Sequence, residues 1–576
     1  MLIAIPCQAA VACGMVEALE PVMFRFRVGL VIHVFFVCSQ GLGDESRPVR
    51  GTVNVPCRLY VQSDEGTFYF ARSAGPEGTA VVYDKQRGAS VEKHTTLSAH
   101  PFVVDLPPGR YTFTAERGKE YDVAVQTVTI PERGDIPDVV LSLERWIDLA
   151  ALGWFSGDTH VHRSLAELPN LVEAEDLHVA LPITHWVRAA YERPSRSPGE
   201  DGADAQPIIV NSREPSKSTA VERVIWPLNT EYELFTVAGR RHTEGAVFVL
   251  NHQTPLRLAA PPVAPLAQAA RDQRALLDLD KHSWNWSMMI VPIMNVDLYE
   301  LANNHMWRSE FLYKNWTVDM LPRDWEIETD SDGYTEKGWI DWTFKNYYAL
   351  LNCGFRLRPS AGTASGVHPV PLGFGRVYVE CPGGFTYDRW IAGLDAGRSF
   401  VTTGPMLRVT FDGQPPGTVF EEKSPHEARI AGTAEGRNPL TRIEVVVNGE
   451  VVRRVAPENT RSESGGARSF ATSIAEQIPL EHSAWIAVRC FEQVSAPNGA
   501  SEEDGLSSER ERYAHTAPVH FEIDGPVRPR AREVNYFIER MEQEIARNRG
   551  VLARDEVGEY ERALAIYREI AQRARP

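Results

Sequence analysis

No two cysteines of this chain stand at C-x-x-C spacing, and the seven that occur among 576 residues are scattered. Cys7, Cys13 and Cys38 fall in the first 43 residues, and Cys57, Cys353, Cys381 and Cys490 lie far apart in the remainder. This excludes a disulfide framework and a cysteine-zinc module, so any metal is left to nitrogen and oxygen ligands. Basic charge is also short, with 60 Lys and Arg against 77 Asp and Glu and a net charge of −17. Such a balance repels phosphate backbones and excludes nucleic acid as an expected partner. There is no G-x-G-x-x-G after a strand, no Walker loop, no H-E-x-x-H and no G-x-S-x-G. Nucleotide-dependent, zincin and serine-hydrolase chemistries therefore lose their usual sequence support.

Long apolar runs are scarce too. From Met23 the order is Arg25 and Arg27, then an apolar stretch from Val28 to Val37, then small residues at Gly41 to Gly43. That is the charge, apolar, small order of an export leader, and the run is short for a membrane span. Residues 1–43 are expected to be a leader whose start is Met23, placing the protein in the periplasm or outside the cell. Removal of the leader leaves no expected membrane span. The alternatives are an uncleaved anchor, or a lipid on Cys38, which Phe36 and Val37 disfavour.

A chain of 576 residues exceeds one hydrophobic core, and its 43% apolar and 24% charged residues are those of folded protein. Four segments follow the leader. Residues 47–147 read as a β-sandwich, with strands expected at Tyr111 to Ala115 and Tyr121 to Ile130. Residues 150–405 mix apolar strands with helices and hold nine of the sixteen histidines. Strands ending in polar residues, Glu244 to His252 and Asp297 to His305, point to an α/β barrel with its site at the strand ends. Residues 406–526 read as an immunoglobulin-like β-sandwich, with a hairpin over Thr441 to Arg454 turning at Asn448-Gly449. Its stretch 455–515 is expected to be loop-rich, with a strand at Ala484 to Cys490. Residues 530–576 read as a helical hairpin. Its stripes are Val534, Phe537, Ile538, Met541 and Ile545, then Tyr560, Leu564, Tyr567 and Ile570, with Gly550 as a stop.

The sharpest chemical feature is Gly157-Asp-Thr-His-Val-His162. Two histidines at i and i+2 on a strand share one face, close enough to hold one metal. The alternative is a structural pair. Opening an α/β segment, this motif resembles the PHP metal-dependent hydrolases. The order of the later segments resembles the CehA/McbA branch: Asn229 to Thr236, Val247 to His252, Asp280 to Trp286, Val296 to Asn304 and Gly397 to Pro405.

The resemblance covers about residues 150–405 and implies a distorted β/α barrel. It implies a metal set of His160, His162, Glu231 or Glu233, His252 and His282. It also implies one or two divalent cations, zinc first with manganese or iron as alternatives, and a metal-bound hydroxide attacking an amide, ester or phosphoester. His282 and His305 are the expected catalytic histidines, and the expected partner is a small-molecule or carbohydrate-like substrate. Two departures stand out. Thr184-His185-Trp186 replaces a Thr-Asp-His-like segment, and Ser360 to Gly366 has no carboxylate where the family carries an aspartate. His368 lies just beyond. The departures keep open a second function, a secreted binding protein on a catalytically degenerate barrel. Arg240, Arg241 and His242 read as a solvated turn, His178 and His185 as structural, and Trp284, Trp286 and Trp307 as core.

Overall fold

The computed structural model describes residues 46–576 apart from 89, 198–205, 213–220, 281–284, 307–324, 332, 465–466, 496–508 and 576. The expected leader, His282, Trp284 and Trp307 lie outside the described residues. Among the described residues no helix is long and apolar enough to cross a membrane. Strand dominates over helix, in several sheets.

Period-two alternation builds the first unit. In Arg47–Val53 the buried positions are Val49, Gly51 and Val53, the pattern of a strand with one face on a core. This strand pairs antiparallel with Phe102–Leu106 and parallel with Val139–Leu141. A second sheet runs in the order Ala80–Arg87, Ser90–Leu97, Cys57–Ser63, Gly109–Glu116, Ala124–Ile130. One core with Val49, Leu59, Phe102, Phe113, Ile130 and Val139 serves both sheets. The last strand starts at Ala124 rather than Tyr121: the Tyr121 backbone instead bridges Arg145, with its ring beneath the guanidinium groups of Arg117 and Arg145.

In the central unit the Trp154–Val161 strand is buried along all eight residues, as expected of a strand covered on both faces. It pairs parallel with Val179–Pro182 and antiparallel with Arg376–Glu380. A second, seven-stranded sheet has the order Ser195–Arg196, His185–Ala189, Thr230–Val237, Arg240–Leu250, Leu276–Leu279, Leu298–Ala302, Arg358–Ala361. The two sheets are joined at the H-x-H motif. Thr363 and Ala364 donate backbone N–H to His160 O, and His162 N–H donates to Ser365 O at 2.8 Å.

The first of these sheets does not stop at residue 405. Ser399–Thr402 pairs with Glu509–Thr516, which pairs with Ala484–Ser495 and so reaches Leu440–Val447 and Glu450–Val455. The last two flank Asn448 and Gly449, whose φ values of 47° and 84° are the left-handed pair a two-residue turn requires. A further sheet joins Met406–Phe411, His426–Gly436, Ala467–Leu480 and Thr460–Ser464. The stretch 455–515, expected to be loop-rich, thus carries long strands. In Ala467–Leu480 the buried Thr472, Ile474, Ile478 and Leu480 alternate with exposed Ser473, Ala475, Gln477 and Pro479. Its small and polar residues conceal a regular period-two strand.

Two helices, Ala531–Asn548 and Arg554–Ala571, close the chain. Gly550 follows the first with φ 77°, and Val534, Phe537, Met541, Tyr560, Leu564 and Tyr567 are buried in the central core.

Candidate metal centre

Sheet register sets out the floor of the site. Trp186 stands opposite Glu231, Glu231 opposite Phe248, and Phe248 opposite Asp278. Paired residues project to the same side of a sheet, so these four form one row. The His160 ring lies 4.4 Å from the Phe248 ring, over that row. Glu300 comes from Leu298–Ala302, and Asp280 directly follows Leu276–Leu279.

His160 Nε2 lies 3.1 Å from His162 Nε2, and His162 Nε2 lies 3.4 Å from Glu231 Oε2. One donor atom from each of the three falls within 4.8 Å of the others. On the other edge of the His160 ring, Nδ1 is 3.2 Å from Glu300 Oε2 and 3.9 Å from Asp280 Oδ2. His160, Asp280 and Glu300 form a second group meeting the same 4.8 Å spacing. His160, Glu231, Asp280 and Glu300 are at most 2% exposed, and the His162 side chain is 7% exposed.

One imidazole links both groups, and its chemistry ranks them. A neutral ring has one N–H and one lone pair. With Nδ1–H donating to Glu300, the Nε2 lone pair faces His162 and Glu231. This is how a carboxylate orients a metal-ligating histidine. Donors 2.0–2.1 Å from a tetrahedral zinc ion stand about 3.3 Å apart, close to the 3.1 and 3.4 Å separations here. Buried carboxylates are costly unless matched by positive charge. The residues therefore fit a divalent cation held by His160, His162 and Glu231, with Glu300 and Asp280 behind His160. A two-histidine, one-glutamate set leaves a fourth position for water or substrate.

Close packing supports the arrangement. A Cβ on Gly362 would lie 2.3 Å from His160 Cβ and 2.7 Å from Glu300 Oε1, so only glycine fits without displacement. The Trp186 ring, half-buried, lies 5.0 Å from the His162 ring and walls the site. Behind the motif, Asp158 accepts from Thr363 Oγ1 at 2.6 Å, Gly373 N at 2.9 Å and His160 N at 3.1 Å. Burial still raises its pKa to about 6. Asp278 accepts from Ser360 Oγ at 2.8 Å, and burial raises it to about 7.

The other expected residues take different places. Glu233 shares a face with Glu231 two residues on, but it belongs to neither group of donors. His252 and His305 belong to neither as well. His252 Nε2 lies 2.9 Å from Thr230 Oγ1, and burial, with His185 nearby, lowers its pKa to about 4. His185 is also lowered, by burial and then Arg196. The His305 ring meets Trp339 edge-on at 4.9 Å, and the His368 ring faces Arg87 at 3.1 Å. His178 packs against Phe155, Trp286 is core, and His242 lies 2.6 Å from Asn548 on the C-terminal helices.

Asp280 and Glu300 did not stand out as ligand candidates in the sequence. Their signal is a carboxylate inside or just beyond an otherwise apolar strand, Leu-Leu-Asp-Leu-Asp280 and Leu-Tyr-Glu-Leu-Ala302. Compared with protein-family models, curated proteins and solved structures, the chain matches none.

Proposed function

We propose that this chain is an exported metal-dependent hydrolase of amide, ester or phosphoester bonds, with the central unit a distorted β/α barrel of the PHP kind. The observation that carries the proposal is the convergence of His160, His162 and Glu231, with Glu300 behind His160. A divalent cation bound there would lower the pKa of a coordinated water towards neutrality and polarise the bond under attack.

The chain's own residues do the rest. Glu300 fixes the tautomer and tilt of His160 by accepting from Nδ1. Glu231 supplies negative charge that raises affinity for a cation. The Trp186 ring, 5.0 Å from the His162 ring, offers an apolar wall for the substrate. His282 and His305 are the proposed catalytic histidines.

The test is elemental analysis of the full chain beside His160→Ala and Glu300→Ala, followed by a screen of ester, amide and phosphoester substrates. At least one equivalent of zinc, manganese or iron is expected in the wild type, with none in His160→Ala. Chelation should abolish turnover. A wild type without stoichiometric metal would sink the proposal.

One observation favours a second reading. In the Ser360 to Gly366 segment, Ser360 and Thr363 spend their hydroxyls on Asp278 and Asp158, so no acid/base group is added there. A binding protein on the same scaffold would retain metal, yet show no turnover that His160→Ala removes.

A further inference from the structure

The strand Ala80–Arg87 lies at the edge of the second sheet of the N-terminal unit. Along its eight residues only Tyr83 is buried. An edge strand with one buried side chain directs attention to what that side chain covers. The Tyr83 hydroxyl donates to His368 O and accepts from Gly366 N–H at 2.8 Å. The Arg163 guanidinium lies 4.3 Å from the centre of its ring, and Arg87 reaches His368 Nδ1 at 3.1 Å.

The segment so gripped is the one that backs the H-x-H motif. Thr363 and Ala364 donate to His160 O, and Ser365 O accepts from His162 N–H. Gly366 has φ 112°, and a Cβ there would lie 2.2 Å from His162 O. The path from the Tyr83 hydroxyl to the backbone of both histidines is therefore a run of direct contacts. Movement at Gly366 would thus be passed to the strand whose two Nε2 atoms stand 3.1 Å apart.

We infer that Tyr83 is a positioning residue for the candidate metal centre, supplied by the N-terminal β unit, which makes that unit part of the site's frame. The inference rests on the metal-centre reading for its consequence, but its mechanical core, the hold on His162, is tested without metal.

The experiment compares full-length wild type, Tyr83→Phe and Tyr60→Phe. Tyr60 is the control: its hydroxyl bonds Glu92 within the same unit. Amide hydrogen exchange is followed at His162 in metal-free protein, and zinc affinity is measured by chelator competition. The absorption spectrum of the cobalt(II) form is recorded as well. In Tyr83→Phe, exchange at His162 should quicken at least tenfold. Zinc should bind about tenfold more weakly, the usual scale for losing an outer-shell support. The cobalt spectrum should shift, and Tyr60→Phe should match the wild type in all three. Unchanged exchange at His162, or equal effects in both variants, overturns the inference. A wild type that binds no zinc removes the proposed function, while the exchange comparison still decides the role of Tyr83.

Discussion

His160 serves both edges of its ring at once, with Glu300 at Nδ1 and His162 at Nε2. Gly362 makes this possible by leaving room where any side chain would strike His160 and Glu300. Gly362→Ala should lower stability by about 1–3 kcal/mol, the range for overpacking a well-filled core. It should also release metal at lower chelator concentration. Urea unfolding of the metal-free protein and chelator titration check the two parts, and an alanine variant matching the wild type in both would remove the packing argument. The residues that could be read beforehand share one property: their function shows in local spacing. His160 and His162 are two apart on one strand, so their shared face follows from backbone geometry. Asp280 and Glu300 reach His160 only through pairing of strands more than a hundred residues away, and no local pattern records that register. The choice between Glu231 and Glu233 was open for the same reason, because both point to one face and the pairing with Trp186 selects which lies beside His162.

Among the elements, the C-terminal helix pair is bound to the central unit by more than its apolar stripes. Glu559, 2% exposed, accepts from the backbone N–H of Val263 and Ala264 at 2.8 and 2.9 Å. These are first-turn donors of the Ala264–Asp272 helix, which has no side-chain cap of its own. A carboxylate at a helix N-terminus satisfies those donors and complements the helix dipole. Glu559→Ala should cost about 1–3 kcal/mol by leaving buried donors unmet, with Glu559→Gln recovering part of the loss. Thermal and urea unfolding of the two variants test this, and indistinguishable variants would show that the cap contributes nothing. The helices themselves were readable because apolar residues at 3.6-residue spacing stand out between charged ones. Within 455–515 the strand at Ala484 to Cys490 was readable from its apolar run; Thr460–Ser464 and Ala467–Leu480 were not, since Ser, Thr, Glu and Arg stand there with few large apolar residues to mark the inward face.

Across the whole molecule, protons and buried ions govern stability. His515 is held neutral, its Nδ1–H donating to Thr516 O at 2.7 Å and its Nε2 accepting from the Tyr348 hydroxyl at 2.8 Å. Burial pushes its pKa down to about 3, and that of His520 likewise to about 3. In the unfolded chain both titrate near 6.5. The unfolded state thus gains protons first as pH falls, so this contribution is fully present above about pH 6.5 and declines towards pH 3. From pH 7 to pH 5 the loss should be about 2 kcal/mol per histidine. Urea unfolding at both pH values should show a smaller difference for His515→Gln than for the wild type, and equal differences would refute the assignment. The N-terminal and central units meet through buried charge. Asp176 accepts from Arg117 at 3.2 Å and Arg223 at 2.7 Å and is ion-paired with Arg145 at 2.9 Å, while Arg58 pairs with Glu175. Removing one member of such a set leaves its partners buried without a counter-charge. No run of sequence announced this junction, because its residues are single charges whose partners lie up to 117 positions away.

That junction also bears on the order in which the protein takes shape during synthesis. Residues 46–145 leave the ribosome ahead of the central unit, so Arg58, Tyr83, Arg117 and Lys119 emerge before Glu175, Gly366, Asp176 and Thr403 are translated. Glu175 and Asp176 follow within a few tens of residues. Gly366, His368 and the Thr403 carbonyl that accepts from Lys119 at 2.8 Å arrive only after most of the central unit exists. Such long-range closures are late steps, since chain entropy is spent before the contact forms. An early unit to emerge is therefore among the last to be finished: a nascent chain halted before residue 175 leaves Arg58 and Arg117 without Glu175 and Asp176, and one halted before residue 403 leaves Lys119 without its carbonyl.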